Sequence, residues 1–79
     1  MDLKLAHSFA SKHRTQVEQS DCCSCFHCLA TFSPAEITEW VDDESTALCP
    51  KCGVDAVIGS ACQVPLTEDF LKQMQSEWF

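Results

Sequence analysis

The number and spacing of the cysteines limit the folds that are available to this chain. Seven cysteines occur among 79 residues, and six of them lie in two short segments, "DCCSCFHC" at 21–28 and "CPKCG" at 49–53. A chain this short buries little apolar surface, so small domains commonly depend on disulfides or a bound metal for stability. The two segments therefore predict a domain that is stabilised at its cysteines.

The second segment has the spacing of half a zinc site. Two residues separate Cys49 from Cys52, which lets the backbone turn and present both thiolates to one ion. Gly53 follows and supplies conformational freedom for such a turn. Two buried thiols beside a proline turn are the alternative interpretation, but the cysteine-rich segment upstream offers a matching half-site. We interpret 49–53 as a zinc knuckle.

The first segment offers two registers for the other half-site, because Cys22 pairs with Cys25 at the same spacing as Cys25 with Cys28. The flanks favour the second register. It leaves 20 residues before Cys49, against 23 for the other, and it places Phe32 where the ring can fold over the site. The predicted ligands are Cys25, Cys28, Cys49 and Cys52.

His27 and the three remaining cysteines receive no metal role. His27 falls between two predicted ligands, where we expect its side chain to point away from the ion into solvent. Cys22, Cys23 and Cys62 are left as free thiols, in neutral to acidic surroundings that do not favour the reactive thiolate. A redox role or a second metal site remains the alternative for these three.

Four thiolate ligands predict one structural Zn²⁺ per chain. Catalytic zinc normally keeps one coordination position open for water or substrate, whereas a site closed by four sulfurs does not. Structural zinc can contribute on the order of 10 kcal/mol to folding, which exceeds what a core of this size is expected to supply.

Apolar periodicity predicts a helix in the N-terminal segment. Leu5, Phe9, His13 and Val17 recur at intervals of four within residues 3–19, which places one narrow stripe on a single helix. We expect His7 and His13 to be packed or exposed side chains rather than ligands or bases, because no paired carboxylate or nucleophile accompanies them.

The middle of the chain predicts a short helical turn followed by strands. Ser33 is a suitable N-cap, with Pro34 at the first helical position and Glu36 completing a capping box. The strand-like segments 38–41 and 46–49 flank the polar "DDES", which predicts a β-hairpin leading into the second knuckle. Residues 54–59 are a third candidate strand.

The C-terminal segment predicts a capped amphipathic helix. Thr67 can accept a hydrogen bond at its start, and the acidic residues of the first turn suit the positive end of the helix dipole. An apolar stripe is expected to pack on the zinc-bound hairpin, and it consists of Phe70, Leu71, Met74 and Trp78.

These elements predict a small α+β domain stapled by metal, namely a zinc ribbon of two knuckles joined by a β-hairpin with helices on both sides. We expect a single domain over 1–79, with an N-terminal helical segment at 1–21, the zinc ribbon at 22–62 and the C-terminal helix at 63–79. The polar N-terminal residues do not resemble a secretion signal, and no apolar run is long enough for a bilayer span. A cytoplasmic protein with reduced thiols is therefore expected.

Beyond the ribbon pattern, the segments "CFHC", "EWVDDESTALCPKCGVDAVIG" and "FLKQMQSEWF", with "HS" at 7–8 and "HR" at 13–14, resemble those of a family of short, uncharacterised bacterial proteins usually labelled cytoplasmic proteins. The likeness covers roughly residues 7–79. It implies metal binding by the same four cysteines and implies no particular activity. The family usually has a glycine before the third cysteine of the opening cluster, where this chain has Ser24.

Charge and composition argue against two classes of function. The formal net charge is −7, and residues 31–48 hold five acidic and no basic side chains. Nucleic-acid affinity depends largely on Lys and Arg, and a four-thiolate zinc site adds about two more negative charges, so we do not expect direct nucleic-acid binding. The sequence lacks a glycine-rich phosphate loop and a Cys-His nucleophile pair outside the zinc assignment, so we do not expect an enzyme.

A protein-interaction module is the preferred hypothesis, and the alternatives are a zinc-ribbon protein that binds nucleic acid or acts in transcription and a small metal-dependent enzyme. The predicted hairpin carries Trp40 and the acidic tip Asp42, Asp43 and Glu44, a combination suited to a basic protein partner. Such a chain would act as an adaptor, or as an inhibitor that mimics nucleic acid. The alternative is that Trp40 belongs to the core and the acidic residues only solvate the hairpin. Partner identity and oligomeric state stay open.

Overall fold

Short helices and short antiparallel strands make up the part of the chain that the computed structural model describes, residues 3–62 and 64–79. Residues 1, 2 and 63, which begin the two predicted flanking segments, lie outside the described residues. The elements in chain order are α1 (Leu3–Ser8), α2 (Arg14–Gln19), β1 (Cys23–Cys25), β2 (Thr31–Phe32), β3 (Trp40–Val41), β4 (Thr46–Ala47), β5 (Val57–Gly59) and α3 (Glu68–Trp78), with 3₁₀ turns at Pro34–Glu36 and Ser60–Cys62. The predicted α+β class is confirmed.

A three-stranded antiparallel sheet lies at the centre of the fold, with β1 between β2 and β5. Cys23 pairs with Phe32 on one side and with Gly59 on the other, and Cys25 pairs with Val57. Every residue of β1 and β5 is buried. The third candidate strand is thus present as β5, whereas β1 and β2 were not predicted because the cysteine spacing had been read only as a turn.

The predicted β-hairpin is present. β3 and β4 are antiparallel, with Trp40 opposite Ala47 and Val41 opposite Thr46. Three successive residues at the tip have left-handed backbone conformations, with φ of 54° at Asp42, 57° at Asp43 and 65° at Glu44. This tight tip returns the chain directly toward the second cysteine pair.

The prediction of a single N-terminal helix over 3–19 is wrong, because the helix is interrupted between α1 and α2. Lys12 has a φ of 48°, and the backbone N–H groups of His13 and Arg14 both donate to the Ser45 carbonyl of the hairpin tip, at 2.8 and 3.0 Å. These bonds start α2 in a new direction. The predicted stripe is correspondingly incomplete, since Leu5 is 52% exposed.

Helix α2 packs closely on the sheet at Gly59. A Cβ atom at this glycine would lie 3.3 Å from the Val17 Cα and would collide with the Ser20 hydroxyl. The Ser20 hydroxyl donates to the Gln16 carbonyl and accepts from the Ala61 N–H at 2.9 Å. Gly59 is therefore the residue that lets the helix and β5 approach each other.

Both predicted helix starts are confirmed. The Ser33 hydroxyl accepts from the Ala35 N–H at 3.2 Å, and the Ser33 N–H donates to the Glu36 carboxylate at 2.8 Å, which together form the capping box. The Thr67 hydroxyl accepts from the Phe70 N–H at 3.2 Å at the start of α3. Local side-chain chemistry sets both of these boundaries.

Helix α3 closes the core from the C-terminal side. Phe70, Leu71 and Met74 are buried as predicted, whereas Trp78 is 37% exposed. The helix packs mainly against α1, so the expected packing on the hairpin is corrected. No helix among the described residues has the length and apolar character needed to cross a membrane.

Candidate metal centre

Two turns of similar construction present the four predicted ligands. In the first knuckle, residues 25–29, the Leu29 N–H donates to the Cys25 carbonyl at 2.8 Å and the His27 N–H donates to the Cys25 sulfur at 3.4 Å. The residue after the second cysteine is left-handed, with a φ of 65° at Leu29. This conformation reverses the chain and brings Cys28 beside Cys25.

The second knuckle, residues 49–53, repeats each of these features. The Gly53 N–H donates to the Cys49 carbonyl at 2.9 Å, and the Lys51 N–H donates to the Cys49 sulfur at 3.4 Å. Gly53 has a φ of 80° and occupies the position that Leu29 holds in the first knuckle. The role of Gly53 could be predicted from the sequence, whereas that of Leu29 could not, because leucine gives no signal for a left-handed residue.

The structure brings together the four cysteines chosen from their spacing. The sulfur atoms of Cys25, Cys28, Cys49 and Cys52 all lie within 4.8 Å of one another. Cross-knuckle pairs are 3.7 Å apart, both for Cys25 with Cys52 and for Cys28 with Cys49. A tetrahedral ion with metal–sulfur bonds of about 2.3 Å separates its ligand atoms by about 3.8 Å, so this cluster fits a four-sulfur metal site.

None of the seven cysteines, all of which the structure describes, forms a disulfide, and the four clustered ones differ in exposure. Cys25 and Cys49, the first cysteine of each knuckle, are buried, whereas Cys28 and Cys52 are exposed. The site therefore lies at the edge of the fold, with two sulfurs against the core and two toward solvent.

Burial and hydrogen bonding act in opposite directions on these thiols. Burial raises the pKa of Cys25 and of Cys52. Burial opposes ionisation of Cys49 as well, but backbone N–H groups of Lys51 and Cys52 favour the thiolate, and the Cys49 pKa is lowered overall. A bound divalent cation favours the deprotonated form of every thiol that it contacts. The arrangement thus suits a cation better than it suits four free thiols.

The prediction that His27 is solvent-exposed is wrong. The ring is half-buried and meets the Phe79 ring edge-on, with centroids 4.6 Å apart. The His27 carbonyl accepts a hydrogen bond from the Gln75 side chain at 2.8 Å. Its Nδ1 atom is buried without a hydrogen-bond partner among the described residues. The end of α3 folds over the first knuckle, a long-range contact that spacing does not reveal.

Further aromatic rings extend this cover. His7 stacks on Trp78 with centroids 4.1 Å apart, and Phe26 lies 5.8 Å from Phe79. Phe26 is buried and Phe79 is 58% exposed. Trp78 and Phe79, which are adjacent at the end of α3, therefore connect α1 to the first knuckle.

The three cysteines predicted as free thiols lie outside the four-sulfur cluster. Burial raises the pKa of Cys23 to about 11, with the neighbouring Cys22 and Cys62 thiols adding to the shift. Burial also raises the pKa of Cys62. These directions disfavour a reactive thiolate at both positions.

His13 has a structural position that links the N-terminal segment to the hairpin. The ring is buried, its Nδ1–H donates to the Phe9 carbonyl, and its Nε2 accepts from the Ala47 N–H at 3.0 Å. This pattern requires the neutral ring, and burial lowers the His13 pKa accordingly. Ala47 lies two residues before Cys49, so His13 supports the strand that leads to the second knuckle.

Two of the predicted partner-binding residues, Trp40 and Glu44, contact Arg14 of α2. Trp40 is half-buried, and the Arg14 guanidinium lies 4.5 Å from the centre of its ring. Asp42, Asp43 and Glu44 are exposed. Arg14 also donates to the Glu44 carbonyl at 3.1 Å, so one arginine connects the indole to the acidic tip.

Comparison of the chain with protein-family models, with curated proteins and with solved structures gives no match. The functional assignment therefore depends on the residues themselves. These residues provide a cluster of four sulfurs and an exposed acidic hairpin tip that Arg14 links to the Trp40 indole.

Proposed function

We propose that this chain is a small zinc-ribbon protein in which a structural zinc ion maintains a surface that binds a basic protein partner. The observation that carries the proposal is the cluster of four sulfurs within 4.8 Å of one another. Such a set, from two knuckles with matching hydrogen bonds, is typical of structural zinc. Cys25, Cys28, Cys49 and Cys52 would hold the ion and supply no open coordination position.

Zinc is the metal that best suits this donor set and this role. Tetrahedral sites of four thiolates hold zinc or iron, and zinc has no redox chemistry of its own to disturb a purely structural site. A non-catalytic role belongs to the same proposal, because catalytic zinc requires a position for water or substrate. We also propose that the chain is a cytoplasmic protein related to the short bacterial proteins that it resembles. A reducing compartment would keep its thiols available for metal.

The acidic surface supports a basic partner. Asp42, Asp43 and Glu44 are exposed at the hairpin tip, next to the half-buried Trp40, and the whole chain has a formal charge of −7. Complementary fields of this kind accelerate encounter with a cationic protein, and indoles contribute strongly at the centre of interfaces. An adaptor and an inhibitor of a basic protein both fit this surface.

The basic side chains give no comparable support to nucleic-acid binding. Arg14, Lys51 and Lys72 each pair with a carboxylate, namely Glu18, Glu36 and Glu68, at 3.2, 3.2 and 2.9 Å. Phosphate binding would have to compete with these acids and with the net negative charge of the chain.

The proposal is tested by comparing the zinc-loaded protein with its triple variant Asp42→Asn, Asp43→Asn, Glu44→Gln as baits for proteins in a bacterial lysate. We expect a basic protein that the parent retains at low salt, that higher salt releases, and that the variant captures poorly. Zinc content and melting temperature should be the same for both baits. A partner captured equally by both baits at low and high salt would exclude the hairpin tip as the binding surface.

A further inference from the structure

We propose that the groove beside Trp40 receives an arginine side chain of the basic partner. The inference rests on the proposed function and specifies where the partner is recognised. The groove has a volume of about 520 Å³ and lies between α2 and residues 33–40. Its lining includes Arg14, Glu18, Asp21, Pro34, Ile37 and Trp40.

Part of the groove lining is apolar. Ile37 is buried, and Pro34 and Trp40 are half-buried, so each contributes carbon surface at the base or side of an open depression. Long basic side chains lay their methylene groups on such surface while their charged ends stay hydrated. This apolar part of the lining therefore suits the stem of an arginine.

The groove lining also includes an acid that is available to a guest. The Asp21 side chain is exposed and forms no ion pair with the residues that the structure describes. Its backbone N–H donates to the Ser60 hydroxyl at 3.1 Å, which holds the residue in place. Glu18, by contrast, is already paired with Arg14 at 3.2 Å. A guest cation would thus find Asp21 as its counter-charge.

The chain itself displays the kind of contact that we infer. The Arg14 guanidinium lies over the Trp40 ring and pairs with the Glu18 carboxylate. Planar guanidinium groups pair with carboxylates through two parallel N–H donors and pack on aromatic rings, which a lysine ammonium does less well. Because Glu18 balances Arg14, Asp21 leaves the groove with a net negative charge. The hydrogen bond from Arg14 to the Glu44 carbonyl links the groove to the hairpin tip.

The first test uses the full, zinc-loaded chain labelled with ¹⁵N and a blocked peptide, acetyl-Ala-Ala-Arg-Ala-Ala-amide, as the probe. The matched peptide with Gln in place of Arg is the uncharged control. We expect the arginine peptide alone to shift the indole N–H signal of Trp40, the side-chain Nε–H signal of Arg14 and the backbone amide signal of Asp21. Equal shifts with both peptides, or no shifts at these groups, would overturn the inference.

The second test separates the groove from general attraction to an acidic protein. Asp21→Asn removes the proposed counter-charge, and Asp55→Asn removes the same charge at an exposed position outside the groove lining. We expect Asp21→Asn to weaken peptide binding by about threefold, within the range of an exposed ion pair, and Asp55→Asn to leave it close to the parent value. Equal weakening by both variants would show non-specific attraction and overturn the inference.

The hairpin variant distinguishes this inference from the proposed function. If peptide signals shift at residues 42–44 and not in the groove, the groove is excluded while the acidic hairpin remains the binding surface. If the captured basic protein binds the triple hairpin variant as tightly as the parent, the proposed function fails whatever the peptide does. Zinc content and melting temperature of every variant must match the parent, so that lost binding reports the surface and not the fold.

Discussion

The two knuckles share one hydrogen-bond pattern but lie in different surroundings. The first continues from the central strand β1, has the Phe26 ring buried beneath it, and is covered by Phe79 at the end of α3. The second follows the two-stranded hairpin, and a Cβ added at Gly53 would meet no atom within 4 Å. Packing thus defines the first knuckle, whereas local backbone freedom and the hairpin define the second.

The left-handed residue of each knuckle shows the consequence. Leu29 adopts a φ of 65°, which is unfavourable for a side chain with a Cβ, while Gly53 adopts 80° without strain. A leucine is tolerated where neighbouring structure over-determines the backbone. Leu29 is half-buried and packs against the core cluster, which supplies that constraint.

Loss of a ligand should have the largest effect and should act on both knuckles together. We expect Cys25→Ser and Cys49→Ser each to lose zinc and most of the folded structure, because metal binding and folding are coupled in a chain this small. Cys22→Ser should keep one zinc per chain. Metal analysis and circular dichroism with and without a chelator measure both outcomes. Zinc loss in Cys22→Ser with retention in Cys28→Ser would show that the other cysteine register binds the metal.

Substitution of the left-handed residues should separate the knuckles. Gly53→Ala introduces a Cβ at positive φ and should destabilise the zinc-loaded protein by about 1–2 kcal/mol. Leu29→Gly relieves the same strain but loses packing and adds freedom to the unfolded chain, so its net effect should be smaller. Chemical denaturation at fixed zinc concentration gives both values. A larger loss for Leu29→Gly would mean that packing at Leu29 outweighs backbone strain.

The features that could be predicted from the sequence are those set by local chemistry. Ser33 and Thr67 cap their helices through bonds to residues two and three positions away. The paired cysteines are recognisable because two-residue spacing alone brings their thiolates toward one ion. The hairpin follows from strand-like segments around a polar tip. None of these depends on distant parts of the chain.

The features that could not be predicted depend on long-range contacts. The interruption before α2 is stabilised by hydrogen bonds to the Ser45 carbonyl, which lies 32 positions after His13 in the sequence. His27 was expected in solvent because nothing near it in sequence indicates that Phe79 covers it. Periodicity wrongly placed Leu5 in the packed stripe for the same reason, since the position of α3 decides which face of α1 is buried.

Removal of the aromatic cover should loosen the first knuckle alone. Phe79→Ala deletes the ring that meets His27 and Phe26, and aromatic pairs of this kind contribute about 0.5–1.5 kcal/mol. We expect faster amide hydrogen exchange at His27 and Leu29, with unchanged exchange at Lys51 and Gly53. Uniform acceleration in both knuckles would indicate that α3 stabilises the whole domain rather than one turn.

The smallest expected effect is a loss of stability in acid that results from protonation of His13 and is confined to the second knuckle. Burial holds the His13 pKa in the folded state below its ordinary value of 6.5, so the folded state resists protonation more than the unfolded state does. Stability should be complete above pH 6.5 and should decrease as the pH falls from there through the folded-state pKa. Protonation turns Nε2 into a donor, which removes the acceptor of the Ala47 N–H on the strand leading to Cys49.

The matched variant His13→Gln cannot titrate, so its unfolding free energy should lack this dependence on pH over the range in which zinc content stays constant. Exchange of the Ala47 amide should accelerate in acid for the parent only, while His27 and Leu29 in the first knuckle keep their rates. The same slope in both proteins would assign the acid sensitivity to the thiolates and leave His13 as an ordinary buried side chain.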